Sequence, residues 1–210
     1  TSDVLSRALG ASLGILLNQS IIVENRPGAN GNLGSDAVAK AAPDGYALLL
    51  AADGTMAINP ALYPNLSFKP ERDFIAISRV AVVPLLIVAS ASLKANTLQE
   101  VVALSKTGNT SLDYSSAGIG SAGHLTAELL IARTRARLTV PYKGGGQAIT
   151  DVVSGQVPLM VTAYATAGPF IQSGKLKAIA VTSAQRLPNL PDVPTVQESG
   201  VPDFDAASWY

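Results

Sequence analysis

Near the start of the chain, Leu5, Leu9, Leu13 and Leu16 recur on one face at helical spacing and predict a helix over Asp3–Leu17. Thr1, Ser2 and Asp3 are N-cap types, and an acidic residue suits the positive end of a helix. Ile21–Val23 predicts a short strand, Asn25–Gly28 a turn, Gly34–Ala42 a second helix and Tyr46–Ala52 an apolar strand. Asn59–Pro70, broken by Pro60, Pro64 and Pro70, reads as loop with one turn of helix. Phe74–Ala89 reads as one long β-rich run kinked at Pro84. Beyond it, helices at Thr97–Ser105, Ser121–Arg133, Gln147–Val153 and Gly168–Ser173 alternate with strands at Leu112–Ser116, Arg137–Tyr142, Val157–Thr162 and Leu176–Ser183. That alternation predicts an α/β fold with a mostly parallel sheet. Leu187–Pro194, with three prolines, reads as an extended linker before a last strand near Ala207. The kink near Val82–Pro84 and a second crossing near Ala206–Trp209 are the expected connections between two lobes. The expected division is residues 1–82, 83–206, and 207–210 as the start of a return crossing.

Composition narrows the class. The 210 residues suffice to bury roughly 70% of the unfolded surface. Apolar residues make up 48% and charged residues 14%, which argues against disorder. Lys+Arg and Asp+Glu balance at 15 each with no basic stripe, so nucleic acid is not an expected partner. The apolar stretch Val80–Ala89 is interrupted by Pro84 and falls short of the ~20 residues of a spanning helix. Absence of cysteine excludes disulfides, thiolate metal sites and a Cys nucleophile, and the one histidine, His124, excludes a multi-His metal centre. No metal and no cofactor are expected. Both ends of the chain read as cut.

In open α/β sheets ligands bind beyond the carboxyl ends of strands. Four turns fall there: Asp53-Gly54-Thr55, Ala117–His124, Tyr142–Gln147 and Thr162–Thr166. Glycines and helix amino ends in such turns suit an anion held by backbone N–H groups. Gly118, Gly120 and Gly123 match the spacing of a dinucleotide turn, but no acidic residue follows at a strand end about 20 residues on. Lys143 precedes its glycines, unlike a phosphate loop; it reads as a ligand cation or a solvated side chain. Tyr142 and Tyr164 read as cleft walls or half-buried aromatics. His124, in the first turn of a helix, reads as a turn-fixing residue or a donor to ligand. Gly118-Ile119-Gly120-Ser121 is not a nucleophile elbow.

Taken together, several segments resemble one family. Arg26–Gly34 resembles its "NRPGAGGNIG" segment and Ala42–Tyr46 its "APDGYT" segment. Pro141–Gly144 and Gly155–Val157 resemble "VPYKG" and "GQV"; Gly174–Thr182 and Leu190–Thr195 resemble "GKLRALAVT" and "LPDVPT". In this order, across nearly the whole chain, they resemble the Bug family, the periplasmic receptors of tripartite tricarboxylate transporters. The resemblance implies a two-lobed, type II periplasmic-binding-protein (Venus-flytrap) fold and a periplasmic monomer without catalysis. It implies a small organic carboxylate as ligand and the transporter's membrane subunits as partners. Family members begin with a further strand and continue beyond Tyr210, so the fold is expected to be incomplete at both ends, with exposed apolar surface.

The resemblance also implies site residues. Thr1-Ser2-Asp3 resembles the tail of a first-lobe "PGGxxD" turn, and Asp53-Gly54-Thr55 the turn that reaches the rest of the ligand. Gly118–Leu125 resembles "GSGxxxHL", with Ile119 departing from it. Ser116, Gly120, Ser121, Ala122, Gly123 and His124 are the expected second-lobe contacts, joined by Tyr142, Lys143, Thr162 and Tyr164. A carboxylate is expected to dock on N–H groups near Gly120–Gly123, with Ser2, Asp3, Asp53 and Thr55 completing the site. Asp3 and Asp53 are expected to repel a second negative charge. Two alternatives come from other classes. One is a two-lobed α/β enzyme using His124 with Lys143 or Asp151. The other is the ligand-sensing domain of a regulator, which needs a DNA-binding helix pair that the chain does not show.

Overall fold

A computed structural model describes residues 2–107, 112–139 and 145–210, with the backbone alone at 145–147. The chain divides into two units. Unit 1 comprises Thr1–Ala81 with Trp209–Tyr210, and unit 2 comprises Val82–Ser208, so the chain passes between them at Ala81/Val82 and at Ser208/Trp209.

Unit 1 opens with helix α1 (Ser2–Leu17), whose Leu5, Leu9 and Leu13 form the half-buried face. The chain then doubles back so that Ile21 and Val23 lie over Gly10. A 3-10 turn (Ala29–Gly31) leads into α2 (Asn32–Ala39), and a π-helical turn (Gly54–Ile58) into α3 (Asn59–Leu62) and α4 (Pro70–Asp73). The expected strands at Ile21–Val23 and Tyr46–Ala52, and the Phe74–Ala81 part of the expected β run, are not sheet strands, whereas its remainder lies in a strand of unit 2. Among the described residues of unit 1, only Trp209 lies in a strand. A strand exists through its ladder, and apolar patterning marks a face without supplying the neighbour. Tyr46 and Ile75 are each 92% exposed. Phe68, set edge-on to Phe74 at 5.6 Å, is the only buried apolar side chain among the described residues of this unit.

Unit 2 holds the sheet. Its elements are β1 (Val82–Ser90), α5 (Leu98–Lys106), β2 (Leu112–Ser115), α6 (Ala122–Thr134), β3 (Leu138–Thr139), α7 (Gly145–Val153), β4 (Leu159–Ala163), α8 (Tyr164–Gln172) and β5 (Leu176–Val181). The last strand, β6 (Ala207–Trp209), ends in unit 1. The strand order is β3-β2-β4-β1-β5, with β6 on β1. β2 runs parallel to β3 and β4, but β1 is antiparallel to both β4 and β5. The mostly parallel expectation therefore fails at the centre of the sheet: alternating helices and strands reveal connections, whereas β1 is flanked by two strands that arrive later in the chain. Pro84 precedes the β1 pairs with β4 and β5, which begin at Leu85↔Ala163 and Leu86↔Val181, so its missing N–H interrupts neither of those two ladders.

Successive β1 residues feed opposite faces. Leu85, Ile87 and Ala89 pack with Leu98, Val101, Ala127 and Leu130 of α5 and α6, while Leu86 and Val88 pack with Ala148, Val152 and Ala167 of α7 and α8. Burial on both faces explains the unbroken apolar run of this strand. Helix starts follow local chemistry. Thr97 and Glu100 form a reciprocal capping box on α5, and Ser121 caps α6. α8 starts at Tyr164, directly after β4, rather than at Gly168 as expected.

Candidate functional site

The β2–α6 connection is held by its own side chains. Ser116, fully buried, accepts the Gly118 N–H at 3.2 Å. Ser121 Oγ accepts the His124 N–H at 3.2 Å, and His124 Nδ1 accepts the Gly120 N–H at 3.2 Å. With Nδ1 as acceptor, a neutral ring carries its proton on Nε2, which lies 3.8 Å from Glu128 Oε1. The same Glu128 oxygen accepts the hydroxyl of the buried Tyr114 at 3.1 Å. Burial, reinforced by Glu128, pushes the Tyr114 phenol above its ordinary range, so it remains a donor.

These bonds decide which donors the turn can offer. The first N–H groups of a helix have no intrahelical partner. Ser121 takes that of His124, which leaves Ala122 and Gly123 at the positive end of α6. The expected docking span Gly120–Gly123 thus narrows, because the Gly120 N–H is directed at His124. Gly123 has a further role: a Cβ there would lie 2.6 Å from the Val161 carbonyl oxygen of β4. Its absence lets the first turn of α6 sit against the sheet.

In unit 1, Asp53 and Thr55 are buried on either side of Gly54 at the π-helical turn. The Thr55 and Met56 N–H groups both donate to Ala52 O, and the Thr55 hydroxyl donates to Asn30 O at 3.1 Å. Gly31 adopts a φ of +87°, and a Cβ there would meet Thr55 Oγ1 at 2.6 Å. Ser2 begins α1. Asp3 is engaged by Arg7 at 3.0 Å and by Asn25 Nδ2 at 2.6 Å, which hold its carboxyl below the usual range. The repulsion expected from Asp3 is therefore offset by Arg7.

Other expected residues fall elsewhere. Thr162 lies in β4 opposite Leu86. The Tyr164 ring lies over Gly168 of its own helix and packs against the α7–α8 core, and its hydroxyl accepts from Gln172 Nε2 at 3.3 Å. Asp113, which was not among the expected site residues, accepts the Thr139 hydroxyl at 2.6 Å across the β2–β3 ladder. Thr1, Tyr142 and Lys143 lie outside the described residues. Among the described residues no group of three or more His, Asp or Glu is placed to hold a metal. Sequence reading passed over Asn30, Asn32 and Asn59, whose side chains meet beside Thr55.

The two-unit α/β arrangement, with its glycine-rich turn beyond a strand end, has the fold of periplasmic solute-binding proteins. The chain belongs to the TctC family, described as "Tripartite tricarboxylate transporter family receptor", which it matches over residues 5–210. It is 40% identical over 210 residues to the UPF0065 protein of the TAR-I ttuE-ttuC' intergenic region of Agrobacterium vitis, covering 100% of this chain and 60% of that one. Rpa4515 of R. palustris, solved with adipate, is 33% identical with a TM-score of 0.93, covering 100% of this chain and 70% of that one. MatC of Rhodopseudomonas palustris, solved with bound malate, is also 33% identical with a TM-score of 0.88, covering 100% and 71%. The chain spans about three fifths of the length of the curated relatives it matches.

Proposed function

We propose that this chain is a receptor that binds a small organic carboxylate and presents it to the membrane subunits of a tripartite transporter, working in the periplasm as its family does. The observation that carries this reading is the Ser116–His124 turn, braced by its own side chains while the Ala122 and Gly123 N–H groups stay available. A carboxylate docked there gains two charge-assisted hydrogen bonds and the favourable end of the α6 dipole. Excluding water strengthens each bond by lowering the local dielectric. Ligand acts by population shift, favouring the ligand-bound form only as far as its affinity for that form is greater.

Titration calorimetry and native mass spectrometry against malate, succinate, adipate and aromatic carboxylates test this. Uptake of one carboxylate per chain, released on denaturation, is the expected result; no uptake from the whole panel would sink the receptor reading. His124→Ala removes the acceptor of the Gly120 N–H and is expected to weaken binding about two- to tenfold, the worth of one net hydrogen bond. Unchanged affinity would mean that the ring does not brace the turn.

A further inference from the structure

Asparagine is a chemically labile residue, and most so before glycine, whose missing Cβ leaves its backbone nitrogen free to approach the side-chain amide. Asn30 is followed by Gly31. Gly31 is exposed and Asn30 half-buried, so solvent reaches both reacting groups. The glycine is required here: its φ is +87°, and a Cβ would meet Thr55 Oγ1 at 2.6 Å. Burial does not shield the pair, but hydrogen bonds hold each group that the reaction must move. Asn30 Nδ2 donates to Asn59 Oδ1 at 2.8 Å. Asn30 O accepts from Thr55 Oγ1 at 3.1 Å and from Asn59 Nδ2 at 3.2 Å. Asn59, 0% exposed, is fixed in turn by donating to Asn32 Oδ1 at 2.6 Å. The Gly31 N–H donates to Gly28 O at 3.0 Å. These bonds keep Asn30 at φ 53° and ψ 40°, a left-handed conformation that persists only where its surroundings over-determine it.

We propose that Asn30 is a site of spontaneous deamidation held latent by this Asn59 clasp, and that opening of the clasp converts it irreversibly to aspartate or isoaspartate. The inference is independent of what the receptor binds. In the reaction the Gly31 nitrogen gives up its proton and bonds to Asn30 Cγ. The Cγ–Nδ2 bond breaks, and Nδ2 leaves as ammonia with that proton. Water then opens the five-membered imide, at the side-chain carbonyl to give aspartate or at the backbone carbonyl to give isoaspartate. Attack makes Cγ tetrahedral, which takes Nδ2 off the Asn59 oxygen, and it needs the proton that Gly28 O now holds. The reaction therefore runs from the open turn, at a rate scaled by the fraction of time the turn is open. The product cannot restore the clasp. A carboxylate oxygen faces Asn59 Oδ1 where an N–H did, acceptor against acceptor. Isoaspartate also adds a methylene to the backbone of the turn.

The test holds the full chain in mildly alkaline buffer, folded or unfolded in urea, and follows the amide-to-acid mass gain at Asn30 by peptide mass spectrometry. The folded wild type is expected to react about tenfold or more slowly than the unfolded chain, because several bonded groups must be freed together. Asn59→Ala, checked as folded by circular dichroism, is expected to speed the folded-state reaction about fivefold or more. Phe68→Leu loosens the buried apolar contact of the same unit outside the clasp and is expected to keep the slow rate. Absence of product from the unfolded chain, or equal rates in the folded and unfolded wild type, would overturn the proposal. So would an unchanged rate in Asn59→Ala. Equal acceleration by Asn59→Ala and Phe68→Leu would trace the protection to the general stability of the unit and overturn the role of the clasp. Where Asn59→Ala does not fold, Thr55→Val removes one of the two bonds to the Asn30 carbonyl and is read in its place. Faster reaction is expected there too, and an unchanged rate overturns the proposal.

Discussion

Gly123→Ala is expected to reduce carboxylate affinity at least tenfold and to lower the melting temperature by about 2–12 °C. The added methyl would meet the Val161 carbonyl oxygen at 2.6 Å, a contact with strand backbone rather than with a flexible side-chain tip. α6 must then lift from β4 or β4 must bend. Overpacking of this kind costs about 1–3 kcal/mol, and each kcal/mol shifts a chain of this size by about 2–4 °C. The same displacement moves the Ala122 and Gly123 N–H groups, and hydrogen bonds weaken steeply once their angle is lost. Calorimetry and thermal unfolding on the one variant separate the two effects. An unstable variant with unchanged affinity would show that the carboxylate does not dock on this turn.

What was legible in the sequence divides along the two units. In unit 2, burial on both faces of the sheet produces continuous apolar runs, and the N-caps Thr97 and Ser121 mark helix starts to within a residue. The direction of β1 was not legible. Its partners β4 and β5 lie far along the chain, and apolar content carries no strand polarity. In unit 1 the apolar segments Ile21–Val23 and Tyr46–Ala52 resemble strands but lack a ladder, and Ile22 is exposed as Tyr46 is. The second-lobe turn was found from its glycines and its place after a strand, yet the partition of its N–H groups was not. That depends on the rotamers of Ser121 and His124. The asparagine clasp escaped for a different reason. Asn30 and Asn59 have no shared period, and each alone reads as an ordinary turn residue beside a glycine or a proline.

Leu86→Ala is expected to cost about 2–5 kcal/mol, whereas Ile75→Ala is expected to stay within about 0.5 kcal/mol. Leu86 is 0% exposed on β1, between β4 and β5, and packs in the cluster with Val88, Met160 and Val181. Shortening it leaves a cavity that two ladders on either side prevent from closing. Ile75 is almost wholly exposed, so its truncation removes little surface from any packed environment. Urea unfolding of the two variants, followed by far-ultraviolet circular dichroism, measures the difference. Similar losses would mean that unit 1 contributes packing comparable to the β1 core. The expected inequality has a functional consequence. The turn proposed to bind the carboxylate belongs to the unit that contains both apolar clusters, so its N–H groups are carried by the more extensively packed part of the chain. The Asp53–Thr55 turn belongs to a unit whose described residues include one buried apolar side chain, Phe68, and its order depends on polar contacts such as those of Asn59. Elements with little apolar burial open most readily. Ligand binding is therefore expected to slow amide exchange in unit 1 more than in the sheet of unit 2.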